Sequence, residues 1–554
     1  MRPGSLSGAY RKPMRFALVA FSCIALSTFL AGGSSGEEED DAAPPTVAKA
    51  VCGANDHPET ALQGQVPAAL RASGFHGFNC NLQLIGQSRG DGANWQSTEF
   101  RDEHHHICAY HGTSFNAVNR THRGVPVINV TNPDDPTPTG YLTTSAMLDP
   151  WESLKVNERR QLLAADNGNN GGFNGFGGPE VDIYDISGDC RTPQLLASVA
   201  VGKPDGSAGL PHSVVGHEGA WAPDGLTYYG GDLRFTYTVP GTTATATGQY
   251  FAVDTADPTH PTLITAWTTN IAGTNVHGMS IRDDGNRGYF VSIGKGGIDG
   301  SAVADLTNPA VPATNGLLIY DLSEIQARVP NPQVRLISKL LWKDGSVAQH
   351  TIPVKIDGKP YVIFVDEGGS GGFSGPAQEQ GACAAGFPPF PMARIIDIHD
   401  ETRPKIVSRL ALEVHNPANC AKVLPDLVGL TTFTYGSHYC SVDNKHRATT
   451  LACGYFNSGI RVFDIRNPRR PKEIAYYNPT GQTNASPGSN HTGNNFVPGG
   501  PDWCSAQTHL HISEDHGRQG TLWTTCQDNG LLMLKFEDGV WPFEESSTPP
   551  GEQN

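Results

Sequence analysis

Basic residues are scarce in this 554-residue chain: 39 lysines and arginines stand against 55 aspartates and glutamates. A polyanion would meet net repulsion, which excludes nucleic acid as a partner. No Cys-x-x-Cys pair occurs, so a zinc ribbon has no ligands. No glycine signature for phosphate or dinucleotide binding sits between a strand and a helix. The stretch WCSAQ (503–507) lacks the G-x-S-x-G spacing of a hydrolase elbow. Outside residues 16–31 no segment keeps a helical hydrophobic period, which argues against a helical core.

Glycine and proline are abundant instead, 64 and 41 residues, a composition suited to many short strands joined by tight turns. At the N-terminus Arg11, Lys12 and Arg15 precede the apolar run FALVAFSCIALSTFLA (16–31), so residues 1–33 are expected to be an export signal. Its removal takes four basic residues and no acidic ones, leaving 35 basic against 55 acidic, a net charge near −20. Residues 34–50 read as an acidic, disordered linker, 51–545 as the folded domain and 546–554 as a disordered tail. A secreted or periplasmic chain with no remaining membrane span, acting as a monomer, is the expectation. Ten cysteines remain after the signal, an even number that favours disulfides in an exported protein. Cys440 and Cys453 flank a hairpin nearly symmetrically and are expected to pair.

One pattern recurs along the chain: an apolar strand ending in Asp, followed by a polar, proline-rich turn. It appears in VPVINVTNPDDP (125–136), VDIYDISGDCRTP (181–193), YFAVDTADPTHP (250–261), LLIYDLSEIQARVP (317–330), RIIDIHDETRP (394–404) and IRVFDIRNPRRP (461–471), with a truncated copy at LLMLKF (531–536). The anchor positions Asn129, Asp185, Asp254, Asp321, Asp397, Asp464 and Lys535 are spaced as blades of four strands with generous loops would be. The expected fold is therefore all-β, a seven-bladed propeller of four-stranded blades. The Asp ladder is expected to hold turns, and the segment before residue 80 to cross to blade 7 and complete it.

These units resemble the LVIVD-repeat family, most closely in VDIYDIS, RIIDIHD and IRVFDIRNP, over essentially residues 80–540. The resemblance implies an exported β-propeller and no particular activity. Asn129 and Lys535 depart from the family's Asp.

A second interval, His-x7-Gly, opens the innermost strand of successive units: GHEGAWAPDG (216–225), HGMSIRDDG (277–285), HTIPVKIDG (350–358) and HLHISEDHG (509–517), with a blurred copy in HYCSVDNKH (438–446). His217, His277, His350, His438 and His509 thus begin strands at one level near the mouth that carries the long loops. Trp151 aligns with them in blade 2, and a residue near Asn81 in blade 1. If the five converge they are ligands for iron, copper or zinc. If they point between blades they are structural hydrogen-bonding residues, and sequence order leaves both open. A purely structural histidine should also recur in blades 1 and 2, an asymmetry that favours a site on one side of the channel. Trp151, Phe173 and Phe176 would then wall a substrate site with the loop 167–179. Glu218, next to His217, is a candidate general base or a partner orienting an imidazole. His104, His105, His106 and His111 form a separate cluster, read as a polar strand edge, with His104 and His106 on the face of Cys108.

Three functions fit: an exported metalloenzyme, an oxidase or oxygenase acting on a small organic substrate; a non-catalytic propeller binding a protein or a cell-surface ligand; and a metal-free hydrolase or lyase using histidine as acid and base. Carotenoid-cleaving oxygenases are similar in architecture only.

Overall fold

The computed structural model describes residues 44–543 except 114–119, 167–179, 202–215, 234–236, 239–244, 247, 295–301, 373–374, 490, 492–495 and 514–518, and also the backbone of 35–37. The chain forms seven four-stranded antiparallel blades, strands a to d running from the axis outward. Strand a is Ser97–Arg101 in blade 1, Lys155–Asn157 in blade 2, Glu218–Trp221 in blade 3, Met279–Ile281 in blade 4, Ser346–Ile356 in blade 5, Cys440–Val442 in blade 6 and His509–Ser513 in blade 7. The strands are short and alternate, or are apolar throughout where both faces meet a neighbouring blade. The core accordingly lies between blades: Tyr289, Val291, Leu317 and Ile319 of blade 4 pack on Val362, Phe364 and Ile396 of blade 5.

The turn anchors behave as expected of architecture. The side chains of Asp185, Asp254, Asp321, Asp397 and Asp464 each accept the backbone N–H two residues on, at 2.8 to 3.0 Å. Asn129 accepts the Thr131 N–H at 3.1 Å, so an amide oxygen serves the same turn.

Ring closure differs from the expectation in its boundary. The fourth strand of blade 7 is Leu82–Ser88, antiparallel to Gly530–Phe536, and not the chain before residue 80. Phe78–Cys80 instead adds a fifth strand to blade 6 beside Lys472–Asn478. The reason is the corner between them. Asn81 takes a left-handed φ of 59° and ties its amide to Val51 O and Ile474 O, while Cys80 is bonded to Cys52. One continuous segment thereby fastens blades 6 and 7. Residues 44–50, the end of the stretch read as a free linker, also pair along outer edges, through bridges from Thr46 to Ala411 and from Ala48 to Lys472.

Cys440 and Cys453 are bonded across directly opposed strand positions, as expected. Cys108–Cys190, Cys383–Cys420 and Cys504–Cys526 complete five disulfides, a number consistent with an extracellular or periplasmic protein.

The disulfide Cys383–Cys420 anchors helix Pro376–Ala385, which carries the buried carboxyl of Glu379 over the loop-bearing mouth. Burial pushes this group up to about 8, against the pull of a hydrogen bond from Thr434. The folded protein therefore holds a proton that the unfolded chain releases above pH ~4.5, so Glu379 makes stability fall as pH rises from there to about 8. Glu379→Gln is expected to remove that slope. Its melting temperature should match the parent at pH 5 and exceed it at pH 8, by the equivalent of a few kcal/mol at most. Parallel melting curves from pH 5 to 9 would show that Glu379 does not titrate in this window.

Candidate metal centre

Sheet register, more than the His-x7-Gly interval, decides which residues meet on the axis. In each blade the turn anchor lies opposite one residue of strand b: Cys108, Leu162, Thr227, Arg287, Tyr361, Thr450 and Thr521 in order. Three residues on along b, and across to strand a, the register leads to a residue two places before its partner: Trp95, Glu152, His217, His277, Gln349, His438 and Ala506. Three of the five candidate histidines therefore occupy equivalent positions, and two do not.

His350 falls one place late. The a–b hairpin of blade 5 runs one residue further past its anchor, Gly358 lying three residues before Tyr361 where Gly225 and Gly285 lie two before Thr227 and Arg287, so Gln349 takes the axial position. A one-residue shift reverses a strand side chain, and His350 turns to blade 6, stacks on Tyr439 at 4.6 Å and accepts the Cys440 N–H at 3.3 Å. His509 falls three places late because its hairpin is longer. It stacks on Trp523 at 4.1 Å and reaches Ser97 Oγ at 3.2 Å, between blades 7 and 1. The glycines of the interval at 225, 285 and 358 are left-handed turn residues, φ 70 to 71°, so the interval measures hairpin length and not register. In blade 2 the equivalent residue is Glu152, next to the expected Trp151, and in blade 1 it is Trp95 and not a residue near Asn81.

Glu152 is the hub that histidine spacing could not reveal. Its Oε2 lies 3.1 Å from His217 Nε2 and 2.9 Å from His277 Nε2, and its Oε1 lies 2.9 Å from His438 Nε2. Glu367, at the end of strand b in blade 5, brings Oε1 to 3.2 Å from His438 Nε2. All five side chains are buried. His277 Nδ1 lies 3.0 Å from Ala348 O and His438 Nδ1 lies 2.7 Å from Ser505 O. A carbonyl can only accept, so Nδ1 carries the proton and a neutral ring turns a bare Nε2 lone pair toward Glu152. Lone pair facing carboxylate is repulsive unless the ring is doubly protonated or a cation lies between.

The electrostatics follow. Burial would raise the Glu152 carboxyl, but the adjoining His217 and His277 outweigh it and hold it well below the usual range. Burial lowers His217. At His277 the pull of Glu152 overcomes burial and raises the imidazole, and at His438 Glu367 and Glu152 raise it to about 10. Contacts of 2.9 to 3.2 Å are also the spacing of neighbouring ligand atoms about one ion with bonds near ~2.1 Å, so the residues fit a bound transition metal.

Glu218 lies on the axis too. Lys155 Nζ is 2.9 Å from its Oε1, Tyr439 Oη donates to Oε2 and Gln349 Nε2 reaches Oε2 at 3.4 Å. Burial raises this carboxyl against the pull of Lys155.

Aromatic rings from four blades cover the histidines: Trp95, Trp151, Phe433, Phe456 and Trp503. Trp151 lies 5.2 Å from the His217 ring, and Trp95 lies 5.3 Å from His438. Phe173 and Phe176 lie outside the described residues. Trp151, Phe433 and Phe456 have φ of 48, 50 and 40°, a region bulky side chains rarely enter and that costs about 1 to 3 kcal/mol each. Glycine relieves that strain, so Trp151→Gly should lower stability by about 2 kcal/mol or less in urea unfolding, against roughly 3 to 5 for an ordinary buried tryptophan truncation. A loss in the larger range would mark the ring as core packing.

The second histidine cluster is elsewhere. His104, His105 and His106 sit in the a–b turn of blade 1, not on a strand edge, because strand b begins only at Ile107. His106 Nδ1 meets Asp102 at 2.9 Å, and His111 is buried on strand b. His491, Asp502 and Asp528 also gather, but Asp502 already accepts N–H groups of Trp503, Asp528 and Asn529 and so holds a turn.

No family model matches the chain, and no curated protein matches it. Among solved structures it is similar in fold to a periplasmic gluconolactonase of Pseudomonas aeruginosa, at 12% identity and TM-score 0.44, covering 78% of this chain and 95% of that one. Hydrazine synthase of Kuenenia stuttgartiensis aligns at 12% identity and TM-score 0.43, covering 82% of this chain and 96% of that one.

Proposed function

We propose that this protein is an exported metal-dependent oxidase or oxygenase, with a divalent transition metal held on the propeller axis by His217, His277 and Glu152. The observation that carries this is the His277 ring, whose Nδ1 proton is committed to Ala348 O while Nε2 faces a buried carboxylate at 2.9 Å. Two imidazoles and one carboxylate with open positions are the ligand set of non-haem iron oxygenases. Such an ion supplies activation of dioxygen or polarisation of a bound oxygen. The chain's own groups divide the remaining work. Trp95 and Trp151 exclude water on the loop side and present flat apolar surface to a small organic substrate. Glu218, bonded by Lys155 and Tyr439, is the carboxyl placed to give or take a proton on the axis.

The test is metal analysis of protein purified without a histidine tag. Iron or copper at one or more ions per chain, lost in His277→Ala, is the expected result. Zinc alone would move the function to hydrolysis. Protein that carries no metal and takes none up after iron(II), copper(II) or zinc(II) is offered would leave a metal-free propeller in which imidazolium and carboxylate neutralise one another.

A further inference from the structure

We propose that the axis binds two divalent cations, bridged by the Glu152 carboxylate, with His438 and Glu367 as the further ligands of the second; this rests on the metal reading of His217, His277 and Glu152. Five residues offer six candidate ligand atoms, Glu152 giving both of its oxygens. They divide into two trios, Glu152 with His217 and His277, and Glu152 with Glu367 and His438, the atoms of each trio lying within 4.8 Å of one another. Ligands of one first-row ion, at bonds of about 2.1 Å, lie at most about 4.2 Å apart. The closest contacts in each trio, 2.9 to 3.2 Å, fall inside that limit, so each trio suits one ion.

The two oxygens of Glu152 face different partners. Oε2 is directed at His217 and His277, and Oε1 at His438. A carboxylate shared in this manner holds two ions at the roughly 3.5 to 4 Å spacing of two-metal sites.

His438 supplies an independent mark. Its side chain is fully buried, and its Nδ1 is tied to Ser505 O at 2.7 Å. Its Nε2 lies 2.9 Å from Glu152 Oε1 and 3.2 Å from Glu367 Oε1, yet makes no hydrogen bond to either. One imidazole nitrogen and two carboxylate oxygens directed at a common volume, with neither oxygen aligned for a hydrogen bond to the nitrogen, are the donor set of a cation site once Nε2 gives up its proton. Trp95 and Phe456, at 5.3 and 5.2 Å from the ring, keep that volume apolar on the loop side.

The trios also differ in chemistry. The first is rich in imidazole, the second in carboxylate, so the second suits the harder ions manganese(II) and iron(II) over copper(II).

The experiment loads metal-stripped, untagged protein with manganese(II) and reads stoichiometry by elemental analysis and coupling by electron paramagnetic resonance. The parent should bind two ions per chain with a spectrum broadened by their proximity. His438→Ala and Glu367→Gln should each bind one, with the six-line spectrum of an isolated ion, and His277→Ala should lose the other. Circular dichroism melting accompanies each variant, and Glu367→Gln, the milder change, decides if H438A fails to fold. One ion in the parent, unaffected by E367Q and lost in H277A, overturns the second site and leaves the first. One ion lost equally in H277A and E367Q overturns the pair in favour of a single centre. No manganese bound, with iron(II) and zinc(II) also refused, overturns both.

Discussion

Glu152→Gln is expected to abolish metal binding and to cost the metal-free protein about 3 to 5 kcal/mol, the usual result of removing one partner from a buried ionic cluster. Glu152 faces three imidazoles at 2.9 to 3.1 Å, and an amide can neither neutralise them nor replace a ligand carboxylate. The pH dependence carries a sign that can be checked. His438 has its folded pKa raised to about 10, above the ~6.5 of an unfolded chain, by Glu367 and Glu152. Its contribution to metal-free stability is complete below pH ~6.5 and is lost as pH climbs through about 10. Metal affinity should move oppositely, rising over the same window as the imidazoles shed the protons a cation must displace. Urea unfolding of stripped parent and variant from pH 6 to 10, with metal content at each pH, measures both. A variant that keeps its metal, or unfolds at the parent's urea midpoint, would remove Glu152 from the centre of the site.

Arg394→Met is expected to be nearly as damaging, at a residue that touches no metal ligand. Arg394 is fully buried, with Nη2 2.8 Å from Asp366 and Nη1 3.0 Å from Asp344. Its loss strands the buried Asp366 carboxylate, while Asp344 keeps Arg409 at 2.6 Å, again about 3 to 5 kcal/mol. The consequence reaches the axis along hydrogen bonds. Asp366 accepts Asn315 Nδ2 at 2.8 Å, Asn315 Oδ1 accepts the Ala348 N–H at 2.9 Å, and Ala348 O receives His277 Nδ1 at 3.0 Å. Partners that orient a ligand imidazole typically carry 10 to 100-fold in metal affinity, so the variant should weaken binding by at least tenfold. The double variant Asp366→Asn with Arg394→Met removes one stranded charge and should recover part of the stability. Full metal affinity in R394M would show that His277 is oriented without this chain.

Much of the molecule was legible before its structure. The seven anchors, the alternation of strands and the paired cysteines 440 and 453 are local or hairpin features, and each depends on residues close in sequence. Asn129 at an Asp position proved harmless because the turn needs only an oxygen acceptor. The histidines were legible as a class and only partly as a site. His217, His277 and His438 meet on the axis, whereas His350 and His509, chosen by the same interval, face neighbouring blades.

What the sequence by itself determined is therefore the blade: its length, its anchoring turn and its number of copies, since hydrophobic period and turn chemistry act over a few residues. Only the tertiary structure decided the site. Glu152, His217, His277, Glu367 and His438 come from five blades, and their meeting depends on the register of each inner hairpin. Strand side chains alternate with a period of two, so a hairpin one residue longer in blade 5 turns an apparent ligand into an interblade contact and leaves a glutamine in its place. A glutamate with no repeat signature becomes the shared partner of three imidazoles because ring closure brings its strand to the axis at the height of the histidines.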